Sequence, residues 1–175
     1  MIDTLLKQRA NFAPPPCWEE LGLKESQYLV LTLHRPANVD EEAKLKSMIG
    51  AIVVGSQGAP VVFSVHPRTA GIFQQAGIGA DHLCLVDPLP YLEFNHLVSK
   101  ARGVITDSGG ITEETTVMGV PCMTLRDSTE RPETIETGTN DLVGTEPANQ
   151  APYLTRLFSG EWEERDSRKV GWAGW

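Results

Sequence analysis

Short apolar runs alternate with stretches of mixed polarity along most of the chain. "YLVLTL" (28–33), "VVFSVH" (61–66), "LCLV" (83–86), "GVIT" (103–106), "CMTL" (122–125) and "DLV" (141–143) are rich in β-branched residues and show no period-2 alternation. That is the mark of strands buried on both faces of a parallel sheet. Between them the pattern is helical: over 40–54, where Asp40 stands as a capping residue before "EEAKLKSMI", then over 68–77, 91–101 and 110–118, with short helices after Pro132 and Pro147. The alternation predicts a doubly wound, Rossmann-like α/β domain with a parallel sheet.

The ends depart from this rhythm. Residues 2–12 are weakly amphipathic and stop at "APPP", which forces an extended, non-helical connector, so they read as a helix leading out of something else. At the far end "EWEERDSRKVGWAGW" (161–175) sets three tryptophans among charges and glycines. The expected organisation is a leading helix and connector over 1–26, a Rossmann-like domain over 27–160 and an irregular tail over 161–175.

Composition narrows the partners. The chain has 175 residues, 41% of them hydrophobic, which suits one domain with an ordinary packed core. A net charge of -8, from 15 basic against 23 acidic side chains, argues against nucleic acid and anionic membranes. No run approaches the roughly 18 apolar residues that a bilayer requires, and "MIDTLLKQRANF" lacks a signal-type apolar core, so a cytoplasmic protein is expected. Cys17, Cys84 and Cys122 form no CxxC pair and read as small core hydrophobes in a reducing compartment.

The polar residues converge where such a sheet binds ligands, beyond the carboxyl ends of its strands. The first run ends in His34-Arg35, the second in His66 followed by Pro67-Arg68, the fourth in Asp107-Ser108 and the fifth in Arg126-Asp127. Gly109 and Gly110 would let a ligand approach the backbone, and the helix starting there directs unpaired N–H groups and a positive dipole end outward, which suits a phosphate. Glu114, one turn on, could accept hydrogen bonds from two vicinal ribose hydroxyls. Together these describe a nucleotide.

Plainer explanations stand beside each feature. A Ser-Gly-Gly turn is often only an N-capped connection, Glu113 is accounted for by the helix dipole, strand-end histidines are commonly core residues, and Phe94 fits a core aromatic. No GxGxxG follows the first strand, where "LHRPAN" stands, which disfavours a dinucleotide oxidoreductase. GxxxxGK[ST], GxSxG and metal-ligand spacings are also absent, so neither a metal nor a cofactor is implied.

Six motifs carry a resemblance. "LTLHRPANVD", "VHPRT", "DPLPYLEF", "TDSGGITEE", "GVPCMTLRDSTERPE" and "GTNDLVGT", in this order and spacing, closely resemble the carboxy-terminal half of the non-hydrolysing UDP-N-acetylglucosamine 2-epimerases, from 27 to 145. The resemblance implies one of two Rossmann-like halves of a glycosyltransferase-B-type enzyme that clasps a UDP-sugar. The implied reaction interconverts UDP-N-acetylglucosamine and UDP-N-acetylmannosamine by anti elimination of UDP to a 2-acetamidoglucal and re-addition. It further implies that His34 contacts the diphosphate and assists its departure, that Phe94 lies beside the uracil, and that Ser108, Gly109 and Gly110 form the phosphate turn. Glu114 would hold the ribose and Arg131 would face the diphosphate.

Two departures qualify these implications. Ala37 stands where the family usually has Glu after His-Arg-x. The amino-terminal half, which supplies the acidic residues acting at the sugar carbon, is missing, so the chain is expected to bind UDP but not to complete the reaction alone. Partners implied are a UDP-sugar and the missing amino-terminal domain, and a homodimer is compatible with the resemblance. A non-catalytic UDP-sugar module and the donor-binding half of a glycosyltransferase are the competing readings, the "RDSTERPE" segment favouring the epimerase over the transferase.

Overall fold

A computed structural model describes residues 2–65, 67–77 and 79–162. His66, the side chain of Arg68 and the tail 163–175 lie outside the described residues. Six strands, β1 (Leu29–Thr32), β2 (Val61–Ser64), β3 (Leu83–Val86), β4 (Gly103–Thr106), β5 (Cys122–Thr124) and β6 (Asn140–Leu142), form one sheet in the order β3-β2-β1-β4-β5-β6. Every pairing is parallel. The order reverses between β1 and β4, the switch point of a doubly wound sheet.

Alternation of side chains along each strand explains the unbroken apolar runs. Leu29, Leu31, Val61, Phe63 and Ile105 face a layer formed by α4 (Glu42–Gly55), α5 (Pro67–Ala76) and α9 (Gln150–Ser159), where Leu45, Met48, Ile52, Phe73 and Leu154 pack. Val30, Val62, Val104 and Cys122 face the opposite layer, which includes Leu97 and Val98 of α6 (Tyr91–Lys100) and Ile111 and Met118 of α7 (Gly109–Met118). A fully buried Leu, Ile or Phe contributes roughly 1.5–3 kcal/mol relative to exposure, so both layers are needed to hold the sheet.

Three expectations change. The helix expected over 40–54 forms as α4, but a short helix α3 (Pro36–Val39) precedes it, and Asp40 closes α3 while Glu41 takes the N-cap position of α4. Pro36 at the first helical position favours an early turn, and the buried Asn38 side chain bonds Asp107 Oδ2 at 3.0 Å and the Leu125 carbonyl at 3.1 Å, which fixes that turn. The connector is extended only as far as Pro15, after which α2 (Pro16–Glu20) inserts Trp18 edge-on between Tyr28 and His96. Cys17 and Cys122 are buried as expected, whereas Cys84, on the outer strand β3, is half-buried. The leading helix α1 (Ile2–Gln8) packs against α7 with Leu5 fully buried, and α8 (Glu133–Glu136) follows Pro132 as anticipated.

Candidate functional site

At the switch point Thr32 and Thr106 lie in register on β1 and β4, their hydroxyls 2.7 Å apart. Thr106 Oγ1 also accepts the Ser108 N–H at 3.0 Å, which turns the chain out of β4 and into α7. Ser108 occupies the N-cap position with extended backbone, yet its side chain makes no capping bond. The plain N-cap explanation of this serine therefore does not hold, and the hydroxyl stays at the amino end of α7 beside N–H groups that lack intrahelical partners. Gly119, at φ 73, closes the helix in the left-handed conformation that glycine adopts without strain.

Asp107 organises the opposite side. Fully buried, its carboxylate accepts the backbone N–H of His34 at 3.1 Å, that of Arg35 at 2.9 Å and the Asn38 side-chain amide at 3.0 Å, while its carbonyl accepts Arg35 Nε at 3.1 Å. The turn after β1 is thus fastened to the end of β4, and His34 projects at the surface of the carboxyl edge. A cleft of about 340 Å³ opens there, lined by Thr32, His34, Pro88, Leu89, Phe94 and Ile111. Phe94 is half-buried: it packs on the core layer that holds Val30 and Leu97 and also lines the cleft.

Glu114 is 4% exposed and accepts a 2.9 Å hydrogen bond from the Tyr91 hydroxyl. Burial raises its pKa above the ordinary carboxylate value, and the Tyr91 bond pulls the other way. Tyr91 in turn is pushed up to about 12, by burial first and by the carboxylate second. Glu113, beside it, does more than complement the helix dipole: its Oε1 receives Arg131 Nε at 2.7 Å. Arg131, with a half-exposed side chain, is therefore held against α7.

A second guanidinium beside the Ser108–Gly110 turn, besides that of Arg35, belongs to Arg126. Its side chain is 6% exposed and it grips Glu130 with two bonds, Nη2 to Oε1 at 2.6 Å and Nη1 to Oε2 at 3.0 Å. A Cβ at Gly109 would stand 3.5 Å from Arg126 Nη1 and 3.7 Å from Glu130 Oε2, ordinary contact distances, so the fold itself does not demand glycine there. The Arg126 bonds hold the Glu130 carboxyl down at about 2.

Of the residues singled out in the sequence, the structure gathers His34 and Phe94 on one cleft and Ser108, Gly109, Gly110 and Glu114 along the first turns of α7, with Arg131 on that helix's flank. Sequence reasoning missed Asp107 as the fastening point, Tyr91 as partner of Glu114, and the Arg126–Glu130 pair. Asp107 and Arg126 stood at strand ends, the one available signal; Tyr91 and Glu130 carried none.

An arrangement that offers helix N–H groups, guanidiniums, a buried carboxylate and an aromatic wall suits an anionic nucleotide. Several known proteins are similar to this chain. The chain is 40% identical over 127 residues to the UDP-N-acetylglucosamine 2-epimerase of Methanocaldococcus jannaschii, 69% of this chain and 35% of the relative. Among solved structures it matches the Methanocaldococcus jannaschii UDP-GlcNAc 2-epimerase in complex with UDP-GlcNAc and UDP, with a TM-score of 0.77 and 31% identity over 94% of this chain and 48% of that one. It also matches an Escherichia coli heptosyltransferase solved with ADP, with a TM-score of 0.56 over 80% of this chain and 46% of that one. At 13% identity that likeness speaks to the fold alone, one Rossmann-like half of a glycosyltransferase-B-type architecture. The chain thus spans between about a third and a half of the length of these relatives. The family model described as UDP-N-acetylglucosamine 2-epimerase matches residues 1–169, and the chain belongs to that family.

Proposed function

We propose that this chain is the UDP-binding, carboxy-terminal half of a UDP-N-acetylglucosamine 2-epimerase, with residues 27–160 forming the nucleotide-binding domain. The observation that carries the reading is the meeting of His34, the Ser108–Gly110 turn and the buried Glu114 around one switch point. The relative solved with UDP-GlcNAc and UDP has the same fold over 94% of this chain. In this reading the diphosphate rests on the amides and hydroxyl of Ser108, Gly109 and Gly110, and the ribose hydroxyls donate to Glu114. The uracil packs beside Phe94, while Arg131 supplies positive charge.

In this reading His34 contacts the diphosphate as the bond between the anomeric carbon and the UDP oxygen breaks. The electron pair leaves with UDP as the proton on the neighbouring sugar carbon is removed, giving a 2-acetamidoglucal; re-addition of UDP with reprotonation from the other face completes the epimerisation. A hydrogen-bond donor or positive charge aimed at charge that develops on the leaving group stabilises the transition state more than the ground state. Proton transfer at the sugar needs an acid or base within hydrogen-bond reach. None of the site residues assigned here is matched to that role, which falls to the amino-terminal half as partner.

We place this function in the cytoplasm, where nucleotide sugars are made. Among the described residues no helix is long and apolar enough to cross a membrane. Pairing of two copies belongs to this reading through the family resemblance, and light scattering of the purified protein checks it. The decisive experiment is titration with UDP and UDP-N-acetylglucosamine, then an epimerisation assay with and without a supplied amino-terminal half. UDP binding with turnover restored by that half supports the epimerase; binding without restored turnover favours a non-catalytic UDP-sugar module.

A further inference from the structure

The Arg126–Glu130 pair is asymmetric in a way that bears on the diphosphate. The cation is 6% exposed and the anion 71% exposed, so one member is fixed in the protein and the other reaches into solvent. Both terminal nitrogens of Arg126 are occupied by the carboxylate, and the pair lies against Gly109 at the first turn of the ten-residue helix α7. Glu130 therefore sets two anionic oxygens where the partial positive charge of the helix end and a buried guanidinium coincide.

We propose that Arg126 is a further diphosphate-binding residue and that Glu130 is its resident counter-ion, which the diphosphate displaces. This rests on the reading of the site as a UDP site and names a residue which the family resemblance did not assign. The chemistry is an exchange of anions. A buried guanidinium left without an anion is strongly disfavoured, so a partner must be present when the ligand is not. A carboxylate on a mostly exposed side chain gives up its place at low desolvation cost, because water solvates it as it leaves. A diphosphate offers the same forked pair of acceptor oxygens to the guanidinium and adds bonds to the helix amides.

Displacement of a built-in competitor lowers apparent affinity by the fraction of time the seat is taken. The test measures UDP affinity of the wild-type chain, Glu130→Gln and the double variant Arg126→Met with Glu130→Leu, by calorimetry. Glu130→Gln weakens the competitor and is expected to bind UDP about five- to tenfold more tightly, with a larger rise in melting temperature on adding UDP. The double variant removes both charges together, leaving net charge unchanged and no lone buried cation, and is expected to bind about tenfold more weakly. Glu130→Gln no tighter than wild type, or a double variant as tight as wild type, overturns the inference. Should Glu130→Gln not fold, the double variant decides. A wild-type chain that does not bind UDP overturns the site reading and this inference together, whereas wild-type binding with unmoved variants overturns this inference alone.

Discussion

The hydroxyl of Tyr91 donates a 2.9 Å hydrogen bond to Oε1 of Glu114, joining the first residue of α6 to a carboxylate buried in α7. One oxygen of Glu114 is thereby oriented, and in the proposed site the carboxylate receives the ribose hydroxyls. Replacing Tyr91 by Phe should weaken UDP binding by about 0.5–1.5 kcal/mol, the ordinary net value of one hydrogen bond. An unchanged dissociation constant in calorimetry would show that Glu114 needs no help to hold its orientation.

The same pair sets a pH dependence. Glu114 has a folded-state pKa raised chiefly by burial, so the stability tied to it is full below the ordinary carboxylate pKa and is lost as pH rises through the raised value. If UDP is held through the ionised Glu114, as proposed, affinity should run the opposite way and fall as pH drops through that raised pKa. Tyr91→Phe removes a bond that lowers this pKa, and the midpoint of the affinity loss should move to higher pH. A titration series across mildly acidic pH reads both midpoints.

Glu114→Ala should weaken UDP by about 1–3 kcal/mol, because ribose hydroxyls lose a charged acceptor. The specific signature lies in the ligand: wild type should prefer UDP to 2′-deoxy-UDP, and the variant should bind the two nearly alike. Folding should be little affected, since a buried charge is removed with its desolvation cost. Equal UDP affinity of variant and wild type, with a lowered melting temperature, would make Glu114 a structural residue.

Gly109→Ala separates fold from function. A methyl group there meets only ordinary contacts, and alanine at the first helical position favours the helix, so denaturant midpoints should be unchanged or higher. UDP affinity should fall about tenfold, or 1.4 kcal/mol, because the methyl crowds the phosphate approach. Loss of stability without loss of binding would reverse the assignment.

Asp107→Ala should be destabilising by about 2–5 kcal/mol, as three donors from the His34 turn lose one acceptor at once. Asp107→Asn retains one oxygen and should recover part of the loss. Urea unfolding of the two variants checks the order.

Residues 1–175 alone should produce no detectable manno epimer at saturating UDP-N-acetylglucosamine, because none of the assigned residues acts at the sugar carbon. Nuclear magnetic resonance follows the conversion directly, and steady turnover would oblige a base to be sought among His34, His66 and Glu114.

The parallel sheet, the carboxyl edge that bears the candidate site and the α7 turn are legible in the residues alone, since they follow from periodicity within a few residues and from the strand-to-turn succession. "GVITDSGG" announces a strand, a glycine turn and a helix start without reference to the rest of the chain. Which polar partners meet depends on the assembled fold. Asp107 serves a turn that lies 73 residues earlier, Tyr91 finds a carboxylate 23 residues later, and the unpredicted helix α3 ahead of α4 is held by Asn38, bonded to residues 69 and 87 positions away. Nor could the spacing of "RDSTERPE" say which arginine lies at Gly109 and which pairs with Glu113. The physical reason is that periodicity records which face of an element is apolar, whereas the partner of a polar group is chosen by the distance and direction that the assembled sheet imposes.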